Sequence, residues 1–128
     1  MSAPPVDALG RLLSGVSFLK QVDLFRDVPA DYLVAVAEIA EERTCYAGEL
    51  LFREGEPGDC LYVIAEGEIR VTAHGTDVAR LRAGDVVGEM AVLDARPRSA
   101  AAVVAKDGRV LRIASQEFRL LLLHHPEI

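Results

Sequence analysis

The residues best suited to recognise a small charged ligand lie in one segment, residues 84–101. In it, Gly88-Glu89 precedes a short apolar run, and Arg98 follows behind Pro97. An apolar run of this length between two strands predicts one helical turn, whose first N–H groups lack partners and attract anions. The planar guanidinium of Arg98 suits phosphate oxygens, and the carboxylate of Glu89 can accept a hydrogen bond from a hydroxyl. Together these groups predict a binding site for a sugar phosphate.

Catalysis and metal binding are not expected from this sequence. No nucleophile is paired with a general base, so the sequence predicts a binding protein and not an enzyme. His124-His125 lie close to Glu127, but neighbouring side chains on a helix point about 100° apart. His74 is the remaining histidine, too few to complete a metal site or the paired histidines of a cupin-type metalloenzyme.

Composition narrows the class of protein further. The 128 residues, 51% of them hydrophobic, suffice for one domain with a core that needs no disulfide or metal. A net charge of −6 disfavours duplex nucleic acid and anionic membranes as partners. Cys45 and Cys60 are expected to be free thiols in a reducing compartment. Since neither a long apolar run nor a signal peptide is present, we expect a cytoplasmic protein without a membrane partner.

The elements that must position the ligand site follow from hydrophobic periodicity. Apolar residues at helical spacing predict helices at residues 6–19 and 30–40 and again from Ser115 onward. Between them, short alternating runs bounded by turn formers predict six to eight strands. The predicted strands include residues 60–65, 69–73, 78–81, 99–105 and 110–114, with turns at 66–67, 74–77 and 106–108. This pattern favours a β-barrel or jelly roll with helices at both ends.

The segment with Gly88-Glu89 and Arg98-Ser99-Ala100 resembles the phosphate-binding cassette of cyclic nucleotide-binding domains. These domains include the effector domain of the catabolite activator protein and the regulatory subunits of cAMP-dependent protein kinase. Residues 24–28 and 54–64 and the surroundings of Phe118 resemble the same family. The resemblance implies a mainly β fold, an eight-stranded antiparallel β-roll with flanking helices. It divides one domain, residues 1–128, into a helical segment 1–42, a roll 43–114 with cassette 88–100, and a C-terminal helix 115–128.

The resemblance also implies roles for individual residues of the cassette. Glu89 would accept a hydrogen bond from the ribose 2′-hydroxyl, with the Gly88 backbone and Met90 beside it. Arg98 would pair with the cyclic phosphate, and the backbone N–H groups of Ala91 and Ser99 would complete the phosphate cradle.

Two strand residues, Val71 and Val78, are expected to face the base. Replacing Arg98 is expected to weaken binding, because the phosphate loses its cationic partner. It is expected to change folding little, because Arg98 lies in a predicted loop.

The resemblance implies a sensory module that binds cAMP in preference to cGMP and needs no cofactor. Ser99 can hydrogen-bond guanine, yet some cAMP-binding members of the family carry serine there. The effect of ligand binding would be transmitted to the flanking helices or to an unidentified effector domain or protein. A homodimer is compatible with this hypothesis.

Several alternatives remain open on the sequence alone. The fold can serve as a scaffold or oligomerisation domain that binds no ligand. Arg98 can be a surface arginine paired with Asp94 or Glu89. The apolar run at residues 120–123 can pack in the core or contact a partner.

Overall fold

The computed structural model describes residues 15–94 and 96–124, apart from the side chain of His124. Residues 15–19 are helical, and Asp23–Phe25 forms a 3-10 helix. The helices that follow are α1 (Ala30–Ile39), α2 (Glu89–Asp94) and α3 (Ser115–His124). The strands are β1 (Glu41–Cys45), β2 (Leu50–Phe52), β3 (Cys60–Ala73), β4 (Thr76–Arg82), β5 (Val86–Val87) and β6 (Ala101–Ala114). Most of the helix predicted from Val6, and the residues His125 and Glu127, lie outside the described part.

The strands form one antiparallel sheet in the order β1-β6-β3-β4, in which β2 also pairs with β6 and β5 with β3. The two 14-residue strands, β3 and β6, pair with each other along most of their length. Each of these two strands pairs with one further strand along one half and with another along the other half. β6 pairs in this way with β1 and β2, and β3 pairs with β5 and β4. The predicted class, mainly β and antiparallel with flanking helices, is confirmed.

The predicted count of eight strands is not confirmed, because the described residues form six. The turns expected at residues 66–67 and 106–108 are bulges inside β3 and β6, where the register shifts three times between Ile64 and Ile69. Glycine and polar residues mark a bulge as readily as a turn, so the sequence does not distinguish the two. Four predicted short strands are therefore two long, bent ones.

The bulges of β3 and β6 approach each other closely, and this close approach requires glycine. A Cβ atom at Gly108 would lie 2.0 Å from the backbone oxygen of Glu66, and one at Gly67 would lie 2.7 Å from that of Lys106. Backbone this close leaves no room for a side chain, so any larger residue must displace one strand from the other.

The core consists of two clusters, which take alternate residues at the start of β3 and so lie on opposite faces of the sheet. One joins the helices to the ends of β3 and β6 and includes Leu19, Phe25, Leu33, Val92 and Phe118. Phe25 and Phe118 meet edge to face, with ring centroids 6.4 Å apart. The other cluster fills the roll with residues of the six strands, among them Phe52, Tyr62 and both free, buried cysteines. The first cluster thus connects α2, next to the ligand site, with α3.

No helix within residues 15–94 and 96–124 is long and apolar enough to span a membrane. Within the same residues, no group of three or more His, Cys, Asp or Glu side chains is placed to hold a metal ion.

Candidate ligand-binding site

A cavity of about 290 Å³ opens between the roll and the segment 86–100. This volume lies at the lower end of the range of small-molecule sites in proteins. Its apolar wall comes from the strands β2 to β5: Phe52, Val71, Ala79, Leu81, Val86 and Val87. The opposite wall carries the candidate binding groups: Gly88, Glu89, Met90, Ala91, Arg98, Ser99 and Ala100. The arrangement suits a ligand with one apolar face and one charged end.

Arg98 is a buried cation on the wall of this cavity, with only 3% of its surface exposed. Its Nη1 donates to the carbonyl oxygen of Gly88 at 2.9 Å, and its Nη2 donates to the carbonyl oxygen of Cys60. The nearest carboxylate in an ion pair is the exposed Asp59, 3.8 Å from Nη2 and beyond hydrogen-bond distance. Nε is buried and has no hydrogen-bond partner among the described residues. The guanidinium therefore remains a poorly neutralised positive charge.

The backbone of Arg98 is held as firmly as its side chain. Its N–H donates to the carbonyl oxygen of Glu56, and its own carbonyl oxygen accepts from the N–H of Gly55, both at 2.8 Å. At Gly88, which has φ +88°, a Cβ atom would lie 2.5 Å from Nη1 of Arg98. Glycine thus allows the guanidinium to reach the Gly88 carbonyl. Arg98 lies in a loop, as expected, but its guanidinium and backbone join three segments, so we expect its replacement to affect stability as well as binding.

Glu89 is the first residue of α2 and is half-buried beside the cavity. Burial raises the pKa of its carboxyl group, because the charged form loses solvation. Hydrogen bonds from the backbone N–H groups of Glu89 and Met90, and the charge of Arg98, oppose this rise without cancelling it. Glu89 therefore takes up a proton at a higher pH than an ordinary glutamate does.

The spacing, the buried arginine and the half-buried glutamate agree with the expected cassette. The family model for the cyclic nucleotide-binding domain matches residues 42–125. The chain belongs to the cyclic nucleotide-binding domain family.

Relatives and solved structures show the same similarity. The cyclic nucleotide-gated potassium channel mll3241 of Mesorhizobium japonicum is 34% identical over 107 residues, 84% of this chain and 30% of the channel. The cGMP-dependent protein kinase egl-4 of Caenorhabditis briggsae is 30% identical over 99 residues, 77% of this chain and 13% of the kinase. The regulatory domain of Toxoplasma gondii PKA, crystallised with cAMP, has a TM-score of 0.84 at 27% identity, covering 91% of this chain and 47% of that one. The chain thus corresponds to less than half of each of these relatives.

Seven of the eight residues predicted for a cyclic nucleotide site line this cavity. They are Val71, Gly88, Glu89, Met90, Ala91, Arg98 and Ser99. The eighth, Val78, does not line it and is 59% exposed. Alternate residues of a strand point to opposite faces, and in β4 the inward positions belong to Ala79 and Leu81. β4 alternates as the sequence predicts, but the prediction of Val78 as an inward residue is wrong, because Ala79 and Leu81 face the cavity and Val78 faces outward.

Sequence analysis also missed Phe52, which contributes to the apolar wall. It lies 46 positions before Arg98, and nothing in its neighbourhood in the chain indicates that the two meet. Only the pairing of β2 with β6 brings Phe52 beside the cassette.

Proposed function

We propose that the chain is a regulatory module that binds a cyclic nucleotide in this cavity, and that it catalyses no reaction. The observation that carries the proposal is the buried Arg98 guanidinium, which lies on the wall of an apolar cavity and, within the described residues, has no carboxylate at hydrogen-bond distance. A buried cation is costly unless an anion neutralises it. A cyclic phosphate in the cavity would supply that anion.

The remaining cassette groups suit the rest of the nucleotide. Glu89 presents a carboxylate on the same wall as Arg98, where a ribose hydroxyl can donate to it. The N–H of Ala91 belongs to the first turn of α2, which leaves its N–H groups without intrahelical partners. That group and the N–H of Ser99 are the backbone donors that we assign to the phosphate.

The base would lie against Val71, Ala79 and Leu81, and we propose adenine in preference to guanine. These three side chains offer no hydrogen bond to the exocyclic amino group of guanine, so Ser99 is the polar side chain of the cavity that we consider for it. Calorimetric titration with cAMP and with cGMP, repeated on Ser99→Ala, tests this preference. We expect tighter binding of cAMP and little effect of the substitution on it. A protein that binds cGMP more tightly and loses that advantage in Ser99→Ala would reverse the assignment, and one that binds neither would be a scaffold.

Replacing Glu89 by glutamine is expected to weaken binding by about 1–2 kcal/mol, because an amide oxygen is a weaker acceptor than a carboxylate. The 2′-deoxy nucleotide should bind the wild type less tightly than the parent nucleotide, and this difference should shrink in Glu89→Gln. Calorimetry on the two proteins with the two ligands measures both effects. A wild type that is indifferent to loss of the 2′-hydroxyl would contradict the role of Glu89.

The raised pKa of Glu89 predicts that ligand affinity and the stability of the ligand-free protein depend on pH in opposite directions. Ligand affinity of the wild type should fall as the pH is lowered through that pKa, because protonation removes the charged acceptor, and Glu89→Gln should not show this fall. The ligand-free wild type binds this proton more tightly when folded than when unfolded, so its stability relative to Glu89→Gln should decrease as the pH rises above the ordinary glutamate pKa and through the raised one. Thermal unfolding of both proteins across this range gives the second measurement.

We further propose that occupancy of the cavity is passed to α3 through α2. Val92 of α2 and Phe118 of α3 are fully buried in one cluster, and Leu122 packs against it. Arg119 of α3 donates through Nη2 to the carbonyl oxygen of Val92 at 3.2 Å. Leu93, the next residue of α2, is 46% exposed. Leu120 and Leu123 are also exposed, so the outer face of α3 is where we place the contact with an effector.

Amide hydrogen exchange with and without cAMP tests this coupling. We expect protection to increase across residues 88–101 and to change across Ser115–His124, while the central parts of β3 and β6 stay constant. Arg119→Ala should reduce the change in α3 with less effect on affinity than Arg98→Ala, because Arg119 contacts α2 and not the cavity. Protection limited to residues 88–101 would leave a binding site without a responding helix.

A further inference from the structure

The ring of Phe52 lies directly against the guanidinium of Arg98. The Cζ atom of Arg98 is 4.1 Å from the ring centroid, the distance of a close cation–π contact. Phe52 is 7% exposed and Arg98 is 3% exposed, so water screens this contact little. This contact joins β2 to the cassette, residues 88–100, at Arg98.

The ring of Phe52 is in turn held by a second aromatic layer. Tyr62 of β3 stacks on it, with centroids 6.3 Å apart and an interplanar angle of 22°. Tyr62 packs in the same core cluster and is itself contacted by Arg43 of β1, whose Cζ lies 6.0 Å from the ring centroid. Nη1 of Arg43 also donates to the tyrosine hydroxyl at 3.3 Å. A ring supported in this way cannot tilt freely beneath the guanidinium.

We infer that Phe52 is a positioning residue that sets the plane of the Arg98 guanidinium for the phosphate. This inference rests on the proposed function of the site. Hydrogen bonds to the carbonyl groups of Gly88 and Cys60 anchor Nη1 and Nη2, and the flat face of the ring restrains rotation of the group out of its plane. Within the described part of the chain, the buried Nε–H has no hydrogen-bond partner, so it loses no such bond if it donates to the phosphate. A preorganised donor loses less conformational freedom on binding, so affinity should depend on the ring.

Phe52 also lines the cavity, and a direct contact with the ligand would be a competing explanation. The two explanations differ in their dependence on Arg98. A direct contact between Phe52 and the ligand remains when Arg98 is changed. An effect of Phe52 on the orientation of the guanidinium disappears when the side chain at position 98 has no planar group.

A double-mutant cycle with Phe52→Leu and Arg98→Lys separates these explanations. Lysine keeps the charge but has no flat guanidinium. In calorimetry with cAMP, Phe52→Leu should lower affinity about tenfold in the wild-type background and less than about twofold in the Arg98→Lys background. Phe52→Tyr, which keeps the ring, should recover affinity to within about threefold of the wild type.

Phe25→Leu is the matched control, because it removes a buried ring from the other core cluster. It should lower the unfolding temperature and change cAMP affinity by less than about twofold. Equal losses from Phe52→Leu in both Arg98 backgrounds, or a Phe52→Tyr variant as weak as Phe52→Leu, would overturn the inference. A wild type that binds neither cAMP nor cGMP would instead overturn the proposed function, so the two failures are distinct.

Discussion

Replacing Arg98 by alanine is expected to weaken cyclic nucleotide binding by a factor of about a hundred or more. The substitution leaves an enclosed phosphate without its cation, a change that typically costs about 3–5 kcal/mol, or at least two decades in affinity. Calorimetric titration with cAMP, at a temperature where the variant is folded, measures the loss. Binding within about threefold of the wild type would show that the phosphate lies elsewhere.

Arg96→Ala is the matched control, because Arg96 is an exposed arginine two positions earlier in the same segment. It removes the same charge from the chain, so any long-range electrostatic contribution to binding is lost equally, and affinity should change by less than about threefold.

Arg98→Ala should also lower the free energy of unfolding of the ligand-free protein. It leaves the carbonyl oxygens of Gly88 and Cys60 without this donor, and an unsatisfied buried acceptor costs about 1–3 kcal/mol. Urea unfolding without ligand measures this effect, which Arg96→Ala should not show.

The largest expected loss of stability comes from Gly108→Ala. A Cβ atom there would lie 2.0 Å from the backbone oxygen and 2.5 Å from the carbonyl carbon of Glu66. Neither can move without shifting β3 against β6. Overpacking typically costs about 1–3 kcal/mol, and we place this substitution at the upper end because the added atom meets backbone. Thermal unfolding should show a decrease of roughly 10 °C in the midpoint.

Gly15→Ala provides the comparison for this substitution. Gly15 is helical, and among the described residues an added Cβ would meet Ala37, at an ordinary 3.6 Å. Since alanine is the better helix former, this variant should be neutral or more stable by up to about 1 kcal/mol. If Gly108→Ala unfolds at the same temperature as the wild type, the bulges do not approach each other as described.

The family and most residues of the candidate site could be predicted from the sequence, because these depend on local patterns. Gly88-Glu89, Arg98 and Ser99 lie within twelve consecutive residues, so their spacing in the chain already limits their separation in space. The helices at Ala30–Ile39 and Glu89–Asp94 followed from hydrophobic periodicity and the length of apolar runs.

Only the tertiary structure decided features that depend on contacts between distant segments. Gly67 and Gly108 resemble turn residues in the chain, and their role as crossing bulges exists only because β3 and β6 pair there. The register of β4 with β3 decides which side chains of β4 face the cavity: Ala79 and Leu81 face inward, and Val78 faces outward. The burial of Arg98 under Phe52 requires two segments 46 residues apart to meet, and local sequence patterns carry no information about such a contact.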